Sequence, residues 1–320
     1  MVIGRSFFLL ALLLALAIAS VFIVPNDFHD ADCCFETNDS IFSIMTFNVD
    51  ACDSLRFLPE KQRRLQELIS RENPSILCLQ ELPFRNHEKL RPYLDSVYGK
   101  CETLSYADNK WRFQFYSRFP IRNFRKLSSD NILDTTGFDE KLMKEYRTIR
   151  KQMPVMSAEF EVAPNRWITL YSGHMRSSAY STARRSMDED ASWIEGVPLY
   201  YRNYDNGKRI RDYEARCIRR YVEVDLKKDM PVIVAGDLND WCGSDCLNML
   251  MFGTDGAEGP ELTDAWNDKG RGWGFTYFGW HLRLTLDHIL YSKDFELLDV
   301  KVVDTDLSDH KPLMAIFKVK

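Results

Sequence analysis

Five polar motifs, at Asn48, Glu81, His174, Asp237 with Asn239, and Asp309 with His310, each follow or end an apolar run of strand-like composition. The runs are Ser43 to Asn48, Ser75 to Glu81, Ile168 to His174, Pro231 to Asn239, and the late pair Thr285 to Ser292 and Leu307 to Ala315. Short β-branched and aliphatic segments bounded by Gly, Pro, Asn or Asp read as buried strands. In layered α/β proteins ligands gather outside strand ends, so polar groups spread along the chain can converge there on one rim. Taken singly, each motif has a plain explanation: an Asp after a strand forms turns, and a buried His is commonly a hydrogen-bonded core residue. Taken together they point to a shared site for metal-assisted phosphoester hydrolysis. That reaction must neutralise charge on phosphoryl oxygens, deprotonate a water and stabilise a leaving oxygen, so it calls for a hard cation, a base and electrophilic helpers.

Thr46-Phe47-Asn48, Leu79-Gln80-Glu81, Ser117-Arg118-Phe119-Pro120-Ile121, Gly236-Asp237-Leu238-Asn239 and Ser308-Asp309-His310-Lys311-Pro312-Leu313 resemble the endonuclease/exonuclease/phosphatase superfamily, over everything after Ile41. The resemblance implies a deoxyribonuclease I-like fold, a four-layer α/β sandwich of two mixed β-sheets flanked by helices. It implies Mg2+ as cofactor, with Mn2+ or Ca2+ as alternatives, held by Asn48, Glu81 and Asp309. Carboxylate oxygens suit Mg2+, which keeps much of its water and needs few protein ligands. Catalytic roles fall by the same resemblance on His174, Asp237, Asn239, Asp287 and His310, with Asp287 as the carboxylate that orients His310.

Some of these assignments carry a physical reading of their own. Adjacent residues on an extended chain point to opposite faces, which argues against Asp309 as the partner of His310. His288, which repeats the Asp-His pair, is read as an incidental strand residue. Asp237 and Asn239, two apart, share one face of an extended segment, so Asp237 can orient or deprotonate water while Asn239 donates to a phosphate oxygen. His174 resembles the additional histidine of the deoxyribonuclease and sphingomyelinase branches; a structural histidine at a strand end is the alternative. Many relatives carry a small, Gly- and Ala-containing strand before Ser117, whereas Trp111 to Tyr116 is bulky here. Local packing or substrate approach is therefore expected to differ.

The 320 residues, 45% of them hydrophobic, suffice for one catalytic domain over residues 41–320. A net charge of −5 gives no global field to draw in polyanions. Phe7 to Val24 is apolar apart from Ser20, preceded by Arg5 and ended by Pro25. It continues past the small-residue stretch Ala17-Ile18-Ala19, which favours an uncleaved single-pass anchor in residues 1–24 over a cleaved signal and secretion. The linker that follows, residues 25–40, carries Asp27, Asp30, Asp32, Glu36 and Asp39 and no Lys or Arg, so the catalytic domain is expected on the extracytoplasmic side.

Helices are expected over Lys61 to Arg71, with Leu65, Leu68 and Ile69 at helical spacing, and over Arg209 to Lys228. Arg176 to Lys208 is polar without a clean period, and reads as a loop insertion over the site or a plain surface elaboration. Cys242 and Cys246 are the best-spaced pair for a disulfide, with two free thiols as the alternative, while Cys78 reads as a buried small hydrophobe. Trp273, Phe275 and Tyr277 alternate, with Phe278 and Trp280 following, and read as one core face of a strand; stacking on bases or dipping into a lipid interface is the other reading. Arg176, Arg184 and Arg185 read either as phosphate contacts or as solvated charge.

The expectation is a membrane-anchored, Mg2+-dependent phosphoesterase. Its partners are a phosphodiester substrate, nucleic acid or phospholipid head group, and a membrane contacted through residues 7–24. The alternatives are an exported nuclease, a sphingomyelinase-like lipid phosphodiesterase and a catalytically silent binding domain.

Overall fold

Side-chain alternation along the strands builds two sheets, each turning one face to the other sheet and one to helices. In a computed structural model that describes residues 40–50, 58–106, 111–129, 133–177, 193–253, 262–279 and 282–320, the first sheet has six strands. They lie in the order β13 (Phe295–Val302), β14 (Leu313–Val319), β1 (Ile41–Asn48), β2 (Ile76–Gln80), β4 (Trp111–Ser117) and β3 (Lys100–Tyr106). The second runs β5 (Ile121–Lys126), β6 (Val155–Ala163), β7 (Arg166–His174), β8 (Val232–Asp237), β12 (Asp287–Ser292) and β9 (Leu262–Asp264). A two-stranded ribbon pairs β10 (Tyr277–Gly279) with β11 (Leu282–Leu284). The β1–β2 and β7–β8 pairs are parallel and their neighbours antiparallel, so both sheets are mixed.

Between the sheets, Ile44, Ile76, Cys78, Phe113 and Phe115 meet Met156, Ala158, Phe160, Ile233 and Ala235. Residues one step out of phase, Met45, Phe47, Leu77 and Leu79, pack on α1 (Pro59–Glu72) and α2 (Phe84–Val97). On the far side Val155, Tyr171, Val232 and Val234 pack beneath α3 (Glu140–Lys151), α4 (Trp193–Leu226) and α5 (Asp245–Phe252). A short helix, α6 (Ala265–Lys269), follows β9. The layers are helix, sheet, sheet, helix. Helix α1 takes its inner face from Leu65, Leu68 and Ile69 and starts on Pro59. It stops where Asn73 turns left-handed (φ 50°) and returns its N–H to the Ile69 carbonyl, before Pro74.

Two sequence expectations are corrected and one pair of alternatives is decided. Helix α4 begins at Trp193, so the expected insertion is helical from there to Lys208; residues 178–192, Arg184 and Arg185 among them, lie outside the described residues. Gly196, Pro198 and Gly207 interrupt the helical signal over this start, and farther along α4 has a partly polar inner face. Asn206, Arg211, Glu214 and Arg219 are buried on it, and Lys208 pairs with Asp212 (2.8 Å) and Asp245 (2.7 Å). The last strand begins at Leu313 rather than Leu307, because Pro312 has no N–H for a ladder. Cys242 and Cys246 are free thiols. The Ser244 hydroxyl caps α5 by accepting the Leu247 N–H, turning Cys246 onto the buried face of the helix while Cys242 stays exposed ahead of the cap. The 7–24 segment also lies outside the described residues, among which no helix is long and apolar enough to cross a membrane.

Candidate active site

The inter-sheet face of each strand is largely apolar except at the end that reaches the rim, where a polar residue takes the same phase. Ile44, Thr46 and Asn48 share that phase on β1, as do Leu170, Ser172 and His174 on β7, Ile233, Ala235 and Asp237 on β8, and Asp287, Ile289 and Tyr291 on β12. Strand register aligns the ends: His174 lies opposite Asp237 on one side, Asp287 on the other, and Asn48 opposite Gln80 in the facing sheet. The site is therefore the open rim of the sheet-sheet interface.

Asn48 joins the sheets. Its Nδ2 donates to Glu81 Oε1 and to Asp237 Oδ2, both at 3.0 Å, and its Oδ1 accepts the Asp50 N–H. His174 sits between the same two carboxylates, Nδ1 3.6 Å from Glu81 Oε1 and Nε2 3.3 Å from Asp237 Oδ2. The bulky β4 strand contributes here: the Phe113 ring stands edge-on to His174 at 6.5 Å. Behind the rim Gln80 Nε2 bonds Thr46 Oγ1 (3.0 Å) and Ser172 Oγ (3.4 Å), a polar layer between mouth and core.

His310 reaches the rim from the loop before β14. Its Nδ1 lies 2.7 Å from Asp287 Oδ2 and its Nε2 3.6 Å from Asp237 Oδ2. The loop is held by Ser308, whose hydroxyl donates to the Asn48 carbonyl and accepts the His310 N–H. The same hydroxyl lies 3.3 Å from Asp309 Oδ1, which brings Asp309 to the end of β1. Burial opposes the charge on His310, but the carboxylates of Asp287, Asp237 and Asp309 outweigh it, so its pKa is raised to about 10. The imidazole is a cation at neutral pH.

Backbone strain gathers here. Glu81 (φ 55°), Asn239 (φ 54°) and Asp50 (φ 41°) are left-handed. Asn239 therefore does not continue the β8 strand, and the expectation of one extended face shared with Asp237 is corrected. The Asn239 N–H closes onto Asp237 Oδ1 (3.1 Å) and its Nδ2 donates to the Met175 carbonyl (3.0 Å), tying the β7 and β8 exits together. This turn leaves Asp237 Oδ2 to face Asn48, His174 and His310.

The aromatic run is not one core face of a strand. Gly274 (φ 66°) bends the chain around Trp266, whose indole a Cβ there would meet at 2.2 Å. Trp273 is consequently 42% exposed and stacked parallel on Phe275 at 5.8 Å, while Tyr277 lies 5.0 Å from the His310 ring; Trp280 falls outside the described residues. Thr276, which no sequence signal singled out, is fully buried and its Oγ1 accepts the Leu286 and Asp287 N–H groups, fixing the start of β12. Asp240 also carried no sequence signal although it adjoins Asn239, and Ser308 and Tyr277, named only within their runs, gain a place at the site.

The donor set fits a hard divalent cation. Glu81 and Asp309 bring carboxylate oxygens, the hard donors that Mg2+ takes, to either side of Asn48, whose Nδ2 meets Glu81 and whose Oδ1 accepts the Asp50 N–H. Asp237, Asp287 and His310 also place one ligand-type atom each within 4.8 Å of one another. Within that group Asp287 Oδ2 and His310 Nδ1 are taken up by each other.

The fold has many solved counterparts. The human Nocturnin catalytic domain, solved with a bound sulfate anion, matches with TM-score 0.62 at 16% identity over 93% of this chain and 99% of that one. The D. rerio TDP2 structure complexed with a single-strand DNA product matches with TM-score 0.58 at 16% identity over 88% and 100%. ANGEL2, described as a 2',3'-cyclic phosphatase, matches with TM-score 0.56 at 16% identity over 88% and 96%. A comparison with curated protein sequences found no match. The sequence profile of the Endonuclease/Exonuclease/phosphatase family matches residues 45–310. The chain belongs to this family.

Proposed function

We propose that this protein is a divalent-metal-dependent phosphoesterase that hydrolyses a phosphodiester by attack of water. It is tethered to a membrane through residues 7–24, with the catalytic domain on the extracytoplasmic side. The observation that carries the catalytic reading is the surroundings of one carboxylate oxygen. Asp237 Oδ2 lies 3.0 Å from Asn48 Nδ2, 3.3 Å from His174 Nε2 and 3.6 Å from His310 Nε2. Nothing in folding alone asks for an amide, two imidazoles and a carboxylate to meet at a sheet rim, which argues against a silent binding domain.

A divalent cation held by Glu81, Asn48 and Asp309 would act as a Lewis acid on a phosphoryl oxygen. Asp237 orients the attacking water and takes its proton. His310, kept as imidazolium by Asp287, presents Nε2–H to the phosphoryl group and stabilises charge that builds there. His174 is the second imidazole beside Asp237 and assists the phosphate or the leaving group. The single-strand DNA product in the TDP2 structure and the cyclic phosphodiester substrate class of ANGEL2 support a phosphodiester for this chain. The test offers DNA, RNA, phospholipid vesicles and inositol phosphates to the full chain, with EDTA and His310→Ala as controls. Turnover of one phosphodiester class, lost in both controls, is expected. Metal-independent turnover, or full activity in the variant, refutes the assignment.

A further inference from the structure

His288 points away from the mouth, into the helix layer behind the second sheet, in the phase of Leu290. It is 1% exposed, and both ring nitrogens meet acceptors: Nδ1 lies 2.7 Å from Asp264 Oδ2 and Nε2 2.9 Å from the Asp240 carbonyl. A neutral imidazole has one N–H, so beside an ionised Asp264 one of these contacts would set acceptor against acceptor, and the imidazolium satisfies both. A buried cation is costly where an apolar side chain such as Leu290 packs equally well, so geometric specificity is the gain to look for.

The bonds of Asp240 identify what is specified. Its carbonyl is held by His288, and its carboxylate accepts from Nε of Arg211 at 3.1 Å, with both side chains buried. Arg211 Nη1 in turn donates to the Arg176 carbonyl, two residues beyond His174. At the other end of the same turn the Leu238 N–H donates to the Leu286 carbonyl. The turn that aims Asp237 is thus clamped at Leu238 and Asp240 to the two residues that flank Asp287 in sequence, Leu286 and His288.

We propose that His288 is a positioning residue whose ring, donating from both nitrogens, clamps the Asp237–Asp240 turn to strand β12 and so sets the Asp237–His310 spacing. The kinetic consequence rests on the hydrolytic reading of the site above. His288→Gln in the full chain keeps one donor of similar reach and removes the second. A hydrogen bond to a charged group being worth roughly tenfold or more, kcat is expected to fall about tenfold with KM nearly unchanged. Amide hydrogen exchange at Leu238 to Trp241 is expected to quicken about as much, with β1 amides unmoved. His288→Leu, which removes both donors at similar volume, should give the same local exchange pattern and serves if the first variant does not fold. Nitrogen NMR of the unaltered protein at pH 7 should find His288 protonated on both nitrogens. A neutral ring, or unaltered exchange at the turn in the folded variants, overturns the proposal. Exchange and NMR need no substrate, so they decide on His288 even if no phosphodiester is hydrolysed.

Discussion

Replacing Gly236 by Ala probes how closely two strands must approach to assemble the rim. Gly236 has φ 148°, and a Cβ on it would lie 2.1 Å from the Gly173 carbonyl oxygen across the β7–β8 pair. That oxygen is backbone, so it cannot swing away as a side-chain tip could. Reciprocally, a Cβ on Gly173 would meet the Pro154 carbonyl at 2.5 Å, so neither strand has slack. Overpacking of this kind costs about 1–3 kcal/mol, and forcing a side chain into a backbone region kept for glycine costs about 1–3 kcal/mol more. The expected destabilisation is therefore about 2–6 kcal/mol, a large share of the roughly 5–15 kcal/mol that holds a domain together. Urea denaturation followed by fluorescence reads this as a lower midpoint at unchanged slope. The clash sits one residue before the His174–Asp237 pair, whose 3.3 Å contact opens if the strands part. Folded variant should then lose about 100-fold in kcat, the usual effect of misplacing a catalytic group by about 1 Å. A destabilisation below about 1 kcal/mol, typical of a tolerated surface change, would refute the argument that this close approach assembles the site.

Two further outcomes are expected. The folded pKa of His310, about 10, lies above its unfolded value near 6.5. Its protonation therefore contributes stability that is complete below about pH 6.5 and lost as pH rises through about 10. With imidazolium as the working form, kcat should hold level through neutrality and decline on that same alkaline limb; a decline centred near pH 6.5 in a pH–rate profile contradicts the role. Among the cysteines, Cys242 should alkylate rapidly in the native protein, whereas Cys246 and Cys78, the latter with its thiol pushed up to about 12 by burial, should react only on unfolding. A Cys242–Cys246 disulfide in non-reducing mass spectrometry contradicts the free-thiol arrangement.

The parts of the fold legible in the sequence are those whose cause is local. The runs ending at Asn48, His174 and Asp237 are strands because β-branched and aliphatic residues alternate or run unbroken to a polar stop. Helix α1 is legible through the Leu65-Leu68-Ile69 spacing and its stop before Asn73-Pro74, although it starts two residues ahead of the expected Lys61, on Pro59. Helix α4 is legible from Arg209 onward, but its first half carries Gly196, Pro198 and Gly207, which mask the helical signal, while buried Arg211 and Glu214 find their partners, the Asp240 carboxylate and the Arg176 N–H, on other elements. The aromatic run misled for a similar reason. Its alternation is regular, yet Gly274 must bend around Trp266, an obstacle supplied by a distant segment.

By itself the sequence determined the family, the sheet-forming runs and the residue types that meet at the rim, because period, composition and turn chemistry act within a few residues. Tertiary structure alone decided the pairings. Asn48 bridges Glu81 and Asp237, His310 turns its Nδ1 to Asp287, and His288 sits buried between Asp264 and the Asp240 carbonyl. These contacts join residues tens to hundreds of positions apart, and they exist only because strand register and the Asp237–Asp240 turn bring their side chains within 3 Å or so of one another.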